Sequence, residues 1–259
     1  MGRLFIALIC LFSGIAQGQE ISVFSMNALG DNTNQSGFTC SYSLGDAVTT
    51  LAPSLKAGFT NIVSELDPQR NLILKLFLEG LFDSSMLLNL QAHSSSGPVF
   101  QEDFADTLSI ELHSFTTPPV LLNTLHGVGV PASGLVSLLI PDSLPLKVYL
   151  SIKHRNSVET WLAQPINTVT GGYADLTVSA SSVYGSNLKN ISGFYCIYSG
   201  DVNQDGSVDA LDLIRIDNQA AQSGQGYINE DLNGDAVVDE TDINISKNNV
   251  WEFVRIRKP

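Results

Sequence analysis

One acidic pattern is written twice near the C-terminus, and no other feature narrows so far what this chain can fold into. The first copy reads Asp201-Val202-Asn203-Gln204-Asp205-Gly206-Ser207-Val208-Asp209-Ala210-Leu211-Asp212. The second, starting at 231, reads Asp231-Leu232-Asn233-Gly234-Asp235-Ala236-Val237-Val238-Asp239-Glu240-Thr241-Asp242. Calcium is a hard cation that takes about six to eight oxygens, and a twelve-residue loop supplies them from its odd positions and its last carboxylate while a left-handed residue at position six makes the turn. The candidate ligands are therefore Asp201, Asn203, Asp205, the carbonyl of Ser207, Asp209 through a water, and Asp212. Their counterparts are Asp231, Asn233, Asp235, the carbonyl of Val237, Asp239 and Asp242. An Asp/Asn-rich surface turn would explain one copy, but two in register point to calcium. Val208 and Val238 are placed to pair with each other across the two loops.

Each copy ends in Asp rather than Glu and is followed by one helix without being preceded by one. In these respects residues 200–259 resemble a dockerin-type module of type I character. The resemblance implies two loop-helix halves packed as a pseudo-symmetric pair, two calcium ions, and docking onto a cohesin-like or other extracellular protein. In that family loop positions ten and eleven touch the cohesin; here they are Ala210-Leu211 and Glu240-Thr241. The helices are expected at about Ala210–Ala221 and Thr241–Val250, sharing a small core of Leu213, Ile216, Ile243 and Val250. One residue departs from the pattern. Ala236 stands where Gly is wanted, and a non-Gly residue in the left-handed region costs roughly 1–2 kcal/mol, so the second site is expected to be the weaker.

Residues 1–18 read as a secretory signal peptide, with Arg3 in the n-region, an apolar run from Leu4 to Phe12, and Ala16-Gln17-Gly18 as the cleavage signal before Gln19. The run is too short to span a bilayer, and no later stretch is long and uncharged enough to do so. Ile9 precedes Cys10 where a lipoprotein signal would want a small residue. The formal charge is −13, concentrated in the tail, and nothing forms a basic patch. Nucleic acid and anionic membranes are thereby disfavoured as partners. Cys40 and Cys196 can form one disulfide or remain separate buried thiols.

Residues 19–63 form a small segment rich in Ser, Thr, Gly and Asn, in which Phe38 to Thr50 reads as a hairpin or a pair of short strands. Residues 64–70 serve as a linker. From Asn71 the hydrophobic period is two. Leu72, Leu74, Leu76 and Leu78 share one face of a strand, as do Leu108, Ile110 and Leu112, and again Val148, Leu150 and Ile152. Further strands are expected at Leu135–Ile140, Val158–Ala163, Ala174–Ser179 and Gly193–Tyr198. The fold class is mostly β: an antiparallel β-sandwich over 71–199, followed by a small α-helical tandem loop-helix domain over 200–259. Two phrases, Phe77 to Leu81 and Val148 to Trp161, are similar to a sandwich module that precedes such calcium tails in secreted bacterial proteins.

Lys153, His154, Arg155 and Glu159 flank a tight turn at Asn156-Ser157 with Trp161 beyond. They form either a sugar- or carboxylate-binding edge or a polar hairpin turn with Trp161 in the core, and the second reading is preferred. His93, His113 and His126 lack metal-ligand spacing. No nucleophile or phosphate-loop motif is present, and no facing pair can be chosen among Glu79, Glu102, Asp103, Asp106, Glu111 and Glu159. No catalytic residue is nominated; an enzymatic role would be glycoside hydrolase-associated. The expected function is that of a secreted, non-catalytic protein whose tail docks onto or caps an extracellular assembly. The alternative is a polysaccharide-processing, cellulosome-like component in which the sandwich binds carbohydrate and the tail tethers it to a cohesin scaffold.

Overall fold

The computed structural model describes residues 32–35, 38–41, 69–101, 103–168 and 172–259. The expected signal peptide, its cleavage point before Gln19, most of the segment 19–63 and most of the linker lie outside the described residues. The chain divides into two compact units, 1–67 and 68–259. In the first, β1 (Asn32–Gln35) pairs antiparallel with β2 (Phe38–Ser41), Gln35 facing Phe38. Phe38 to Ser41 thus pairs with upstream residues, and the remainder of the expected hairpin, 42–50, is outside the described residues.

The second unit begins with β3 (Gln69–Lys75) and two miniature hairpins, β4 (Phe82–Asp83) with β5 (Leu88–Asn89) and β6 (His93–Ser94) with β7 (Gly97–Pro98). There follow β8 (Phe104–Ser114), β9 (Leu121–Pro131), β10 (Leu135–Pro141), β11 (Lys147–His154), β12 (Ser157–Trp161), β13 (Ile166–Asn167), β14 (Gly172–Asp175), β15 (Lys189–Ile191) and β16 (Phe194–Cys196). Two helices close the chain, α1 (Ala210–Ala221) and α2 (Glu240–Trp251). One sheet runs β10-β3-β14. The other runs β12-β11-β8-β9, with β13 also pairing β11. The period-two rows explain why the sheets face each other: Leu72 and Leu74 from β3 and Val136, Leu138 and Ile140 from β10 meet Leu108, Ile110, Leu112, Val148, Leu150 and Ile152 in one buried cluster.

Three features depart from the expected strands. First, β14 pairs parallel to β3, within otherwise antiparallel sheets. Second, the strand expected over Ala174–Ser179 stops at Asp175, whose Oδ1 accepts from Thr177 N at 2.8 Å and Thr177 Oγ1 at 2.6 Å, an Asx turn that ends the ladder. Third, β9 has no period-two signal: it is an edge strand with bulges against β8 and with Gly127 at φ +64°. Cys196 is a free, fully buried thiol beside Phe77 and Phe82. The side chain of Cys40 lies outside the described residues.

The tail is seated on the sandwich. Glu79 Oε2 accepts from Ser199 N at 2.9 Å and from Asn249 Nδ2 of α2 at 2.6 Å, and Asn249 Nδ2 also donates to Ser199 O at 2.8 Å. Val158 of β12 shares a cluster with Val208 and Val254, against which Tyr198 and Val250 pack. Burial pushes the Glu79 carboxyl up to about 7 from 4.5, only partly offset by those two donors. A group whose folded pKa is raised contributes stability fully present below its unfolded pKa and lost as pH rises through the folded value. The Glu79 contribution should therefore fall away between about pH 4.5 and 7, by on the order of 3 kcal/mol. Glu79→Gln keeps an acceptor for both donors and removes the ionisation. Urea midpoints at fixed calcium should show the variant gaining on the unaltered protein between about pH 5 and 8. A constant difference across that range would show that Glu79 is not buried at this contact.

Candidate metal centre in the tandem loops

Both helices begin where the sequence places an aspartate able to cap. Asp209 accepts from Leu211 N at 2.8 Å and Asp239 from Thr241 N at 2.7 Å. Each belongs to a capping box completed by Asp212 or Asp242, which accepts from the N-cap backbone at 3.0 Å. Position twelve thus does two things at once. Its other oxygen turns back into the loop, so that Asp212 Oδ1 accepts from Val202 N and Asn203 N, and Asp242 Oδ1 from Leu232 N and Asn233 N.

The remaining positions repeat with one difference, Asp201 Oδ1 accepting from Asp205 N at 3.1 Å and Asp231 Oδ1 from Gly234 N at 2.8 Å. Asp201 Oδ2 accepts from Gly206 N at 3.0 Å, and Asp231 Oδ2 from Ala236 N at 3.1 Å. Asn203 Oδ1 accepts from Asp205 N and Asn233 Oδ1 from Asp235 N, while Asp205 and Asp235 accept from Ser207 N and Val237 N. The structure therefore folds all twelve predicted positions into two copies of one loop. Asp209 and Asp239 serve as helix caps with one oxygen each.

Sequence reasoning located Gly206 and Ala236 correctly as turn positions but missed a second one. Gly206 has φ +92° and Ala236 φ +72°, and position four is also left-handed, with Gln204 at +58° and Gly234 at +73°. Each loop therefore holds two left-handed residues and one glycine. The strain expected of the second loop alone is matched in the first at Gln204. The expected pairing of Val208 with Val238 is also corrected: Val208 N donates to Val254 O and Val238 N to Gly224 O. The segment after each helix has taken the open edge of the other half's loop. The tail core is likewise not the expected set. It gathers Val202, Ile216, Leu232 and Val238, with Ile243 packed against them, while Val250 turns to the sandwich and Leu213 is half-buried.

Asp201, Asp212, Asp231 and Asp242 are at most 2 % exposed. Burial, reinforced by the charge of Asp212, pushes Asp201 up to about 7. Burial pushes Asp231 up to about 6, against the hydrogen bond from Ala236 and the nearby charge of Arg155. Asp212 and Asp242 are raised by burial as well. Buried like charges of this kind are costly unless a cation neutralises them. Among the described residues no three His, Cys, Asp or Glu side chains are gathered into a ready-made metal centre, and the loop carboxylates are turned onto backbone N–H groups. The donors within reach in each loop are carboxylate, amide and main-chain oxygens without sulfur or imidazole, a set that fits calcium rather than zinc.

The residues flagged around the β11–β12 turn have structural partners instead. Trp161 is 5 % exposed, packs at a tilt against His113 at 4.3 Å between ring centres and donates to Glu159. Lys153 bridges Glu111 at 2.6 Å and Glu159 at 3.5 Å. The turn itself is Arg155-Asn156 rather than Asn156-Ser157. Asp106, fully buried, pairs with His154 at 3.2 Å and Arg155 at 3.1 Å and accepts from Tyr227 of the tail. Burial alone would raise its pKa, but these partners hold it well below the usual carboxylate range.

The left-handed alanine yields a direct test. Ala236→Gly relieves about 1–2 kcal/mol of backbone strain and forfeits less than about 1 kcal/mol of methyl burial. Gly206→Ala would place a Cβ at a left-handed position, 3.1 Å from Ile256 Cγ2. In chelator, thermal melting should rise for the first variant and fall for the second. Equal shifts of the same sign would mean that position six is not the controlling turn.

No curated protein matches the chain in sequence. Two solved structures resemble it, the C-terminal and N-terminal interface mutants of a type II cohesin–X–dockerin complex from Acetivibrio cellulolyticus. They are 11 % and 12 % identical, each covering 70 % of this chain and 94 % of the other, with a TM-score of 0.41. Among the described residues no helix is long and apolar enough to cross a membrane. The family described as Dockerin type I domain matches residues 199–251, the stretch that holds both loops and both helices. The chain carries a dockerin type I domain at its C-terminal end.

Proposed function

We propose that this chain is an exported, non-catalytic assembly protein whose dockerin domain, loaded with two calcium ions, docks onto a cohesin-like partner. The first ion would be held by Asp201, Asn203, Asp205, the Ser207 carbonyl and Asp212, with Asp209 reaching it at most through a water. The second would be held by Asp231, Asn233, Asp235, the Val237 carbonyl and Asp242, with Asp239 in the equivalent place. Calcium would supply charge neutralisation at four buried carboxylates, and the chain supplies the oxygens and their spacing.

The observation that carries the docking reading is the unequal apolar exposure at the starts of the two helices, the exposed apolar residue of α2 being Trp251 at its far end. α2 is held down by Asn249, Val250 and Glu252, the last accepting from Tyr198 at 3.0 Å. On α1, Leu211 and Ile214 are 60 % and 55 % exposed and lie one turn apart on one face. Exposed aliphatic pairs of this kind serve as anchors for a partner's apolar surface. The equivalent start of α2 offers Glu240 and Thr241.

Calorimetric titration of the full chain should resolve two calcium ions, one lost in Asp201→Ala and the other in Asp231→Ala. Capture by an immobilised cohesin panel should be abolished by chelator. It should weaken at least about tenfold in Leu211→Asp with both calcium phases intact, the scale of one buried anchor. Capture that survives both treatments would refute docking through α1.

A polar cleft of about 460 Å³ at the sandwich–tail junction, lined by Glu111, His126, Lys153, Gln204 and Tyr227 among others, favours a second reading. In it the sandwich holds a saccharide and the chain is a component of a polysaccharide-processing assembly. Trp161 is too buried to be its platform. Retention on insoluble glycans that drops in His126→Ala would support that reading.

A further inference from the structure

The two loops are alike within themselves but are not held in place by the same part of the molecule. In the first, the position-four side chain supports its own loop: Gln204 Nε2 donates to the carbonyl of position one, Asp201 O, at 2.5 Å, with a longer bond to Ser157 O of β12 at 3.4 Å. Position two is held from within the tail as well, Val202 O accepting from Asn229 Nδ2 at 3.3 Å. In the second loop position four is Gly234 and has no side chain to give. The donor to the equivalent carbonyl, Asp231 O, is Asn156 Nδ2 at 3.0 Å, from the β11–β12 turn of the sandwich. Gly234 O accepts from His93 N at 2.8 Å. Leu232 O lies so close to Gly80 that a Cβ there would stand 1.9 Å from it. Just ahead of the loop, Ile228 O accepts from Arg155 Nη1. The guanidinium of Arg155 stacks on Tyr227 at 4.5 Å and is anchored by the buried Asp106.

From this asymmetry we infer that the sandwich is part of the second calcium site: Asn156 and Arg155 are positioning residues that hold the Asp231–Asp242 loop in its ion-binding shape, a task Gln204 performs for the first loop from within. The inference rests on the calcium reading above and adds a division of labour to it. Asn156 is fully buried, and its own carbonyl accepts from Gly200 N at 2.7 Å, immediately before the first loop. The turn therefore stands between the two loops, but its side chain serves only the second. Loss of a buried donor leaves Asp231 O unpaired and lets the loop drift from its coordinating geometry, an effect worth roughly tenfold in affinity.

The test is a crossed pair of variants in the full chain, with the calcium phases assigned by Asp201→Ala and Asp231→Ala. Asn156→Ala should weaken the second-loop phase roughly tenfold and leave the first within about twofold, whereas Gln204→Ala should do the reverse. Arg155→Lys keeps the charge beside Asp106 and Asp231 but loses the fork that reaches Ile228 O. It should weaken the second phase in the same direction, and it carries the test if Asn156→Ala does not fold. Amide exchange in chelator gives a readout without metal: Gly234 and Ala236 should exchange faster in Asn156→Ala, and Gly206 should not. Second-loop affinity and exchange unchanged in a folded variant, or both phases weakened equally, would overturn the inference. Failure of the unaltered chain to bind calcium would instead remove the calcium reading beneath it.

Discussion

Four carboxylates buried in a module of two short helices are the constraint from which the rest follows. Asp201, Asp212, Asp231 and Asp242 are at most 2 % exposed, and an uncompensated buried charge costs more than a core of this size can return. Each is therefore surrounded by backbone N–H groups, and that requirement dictates the loop: left-handed residues at positions four and six turn the amides inward, and the helix must start where position twelve can cap it. Local structure, charge and helix placement are thus one arrangement. Under the proposed calcium reading, a divalent cation would complete it by removing the repulsion that hydrogen bonds only moderate.

The sandwich enters the same arrangement from outside. Helices of 12 residues are marginal alone, and the tail core of Val202, Ile216, Leu232 and Val238 is small. The tail gains from the sandwich a buried Glu79–Asn249 contact, a shared valine cluster, and a turn that grips the second loop. Because α2 is held by this contact, its exposed apolar side chain is Trp251 at its last residue, and α1 is left as the helix with an exposed aliphatic pair at its start, Leu211 and Ile214. Packing in one place therefore sets what can be recognised in another.

Much of this was legible in the sequence, and the reason is that the legible parts are local. The helix expected at about Ala210–Ala221 forms over that range because it follows directly from the loop pattern, and the structure supplies the reason it starts there: Asp209 and Asp212 close a capping box. The rows of β3, β8 and β11 followed from strict alternation. β9 was not visible, since an edge strand interrupted by Gly127 and bulges loses its period. The sandwich–tail contact could not be read either. Arg155-Asn156 looks like any polar hairpin turn until its partners, 73 and 75 residues away, are brought to it by the fold. The same holds for Val250, whose helical spacing suggested the tail core but whose neighbours are Val158 and Tyr198. One signal was available and passed over: position four is Gln in one loop and Gly in the other, which already implies that the second loop must borrow a donor.

The chain's two tryptophans allow the central claim, that sandwich and tail form one calcium-dependent unit, to be tested in a single experiment. Trp161 is buried in the sandwich and Trp251 sits at the end of α2. Denaturant unfolding of the full chain would be followed by Trp161 emission in a Trp251→Phe background and, in parallel, by the far-ultraviolet helical signal, with calcium and with chelator. Coincident transitions that move together when calcium is removed are expected. A helical transition that shifts with calcium while the Trp161 transition stays in place would contradict the claim.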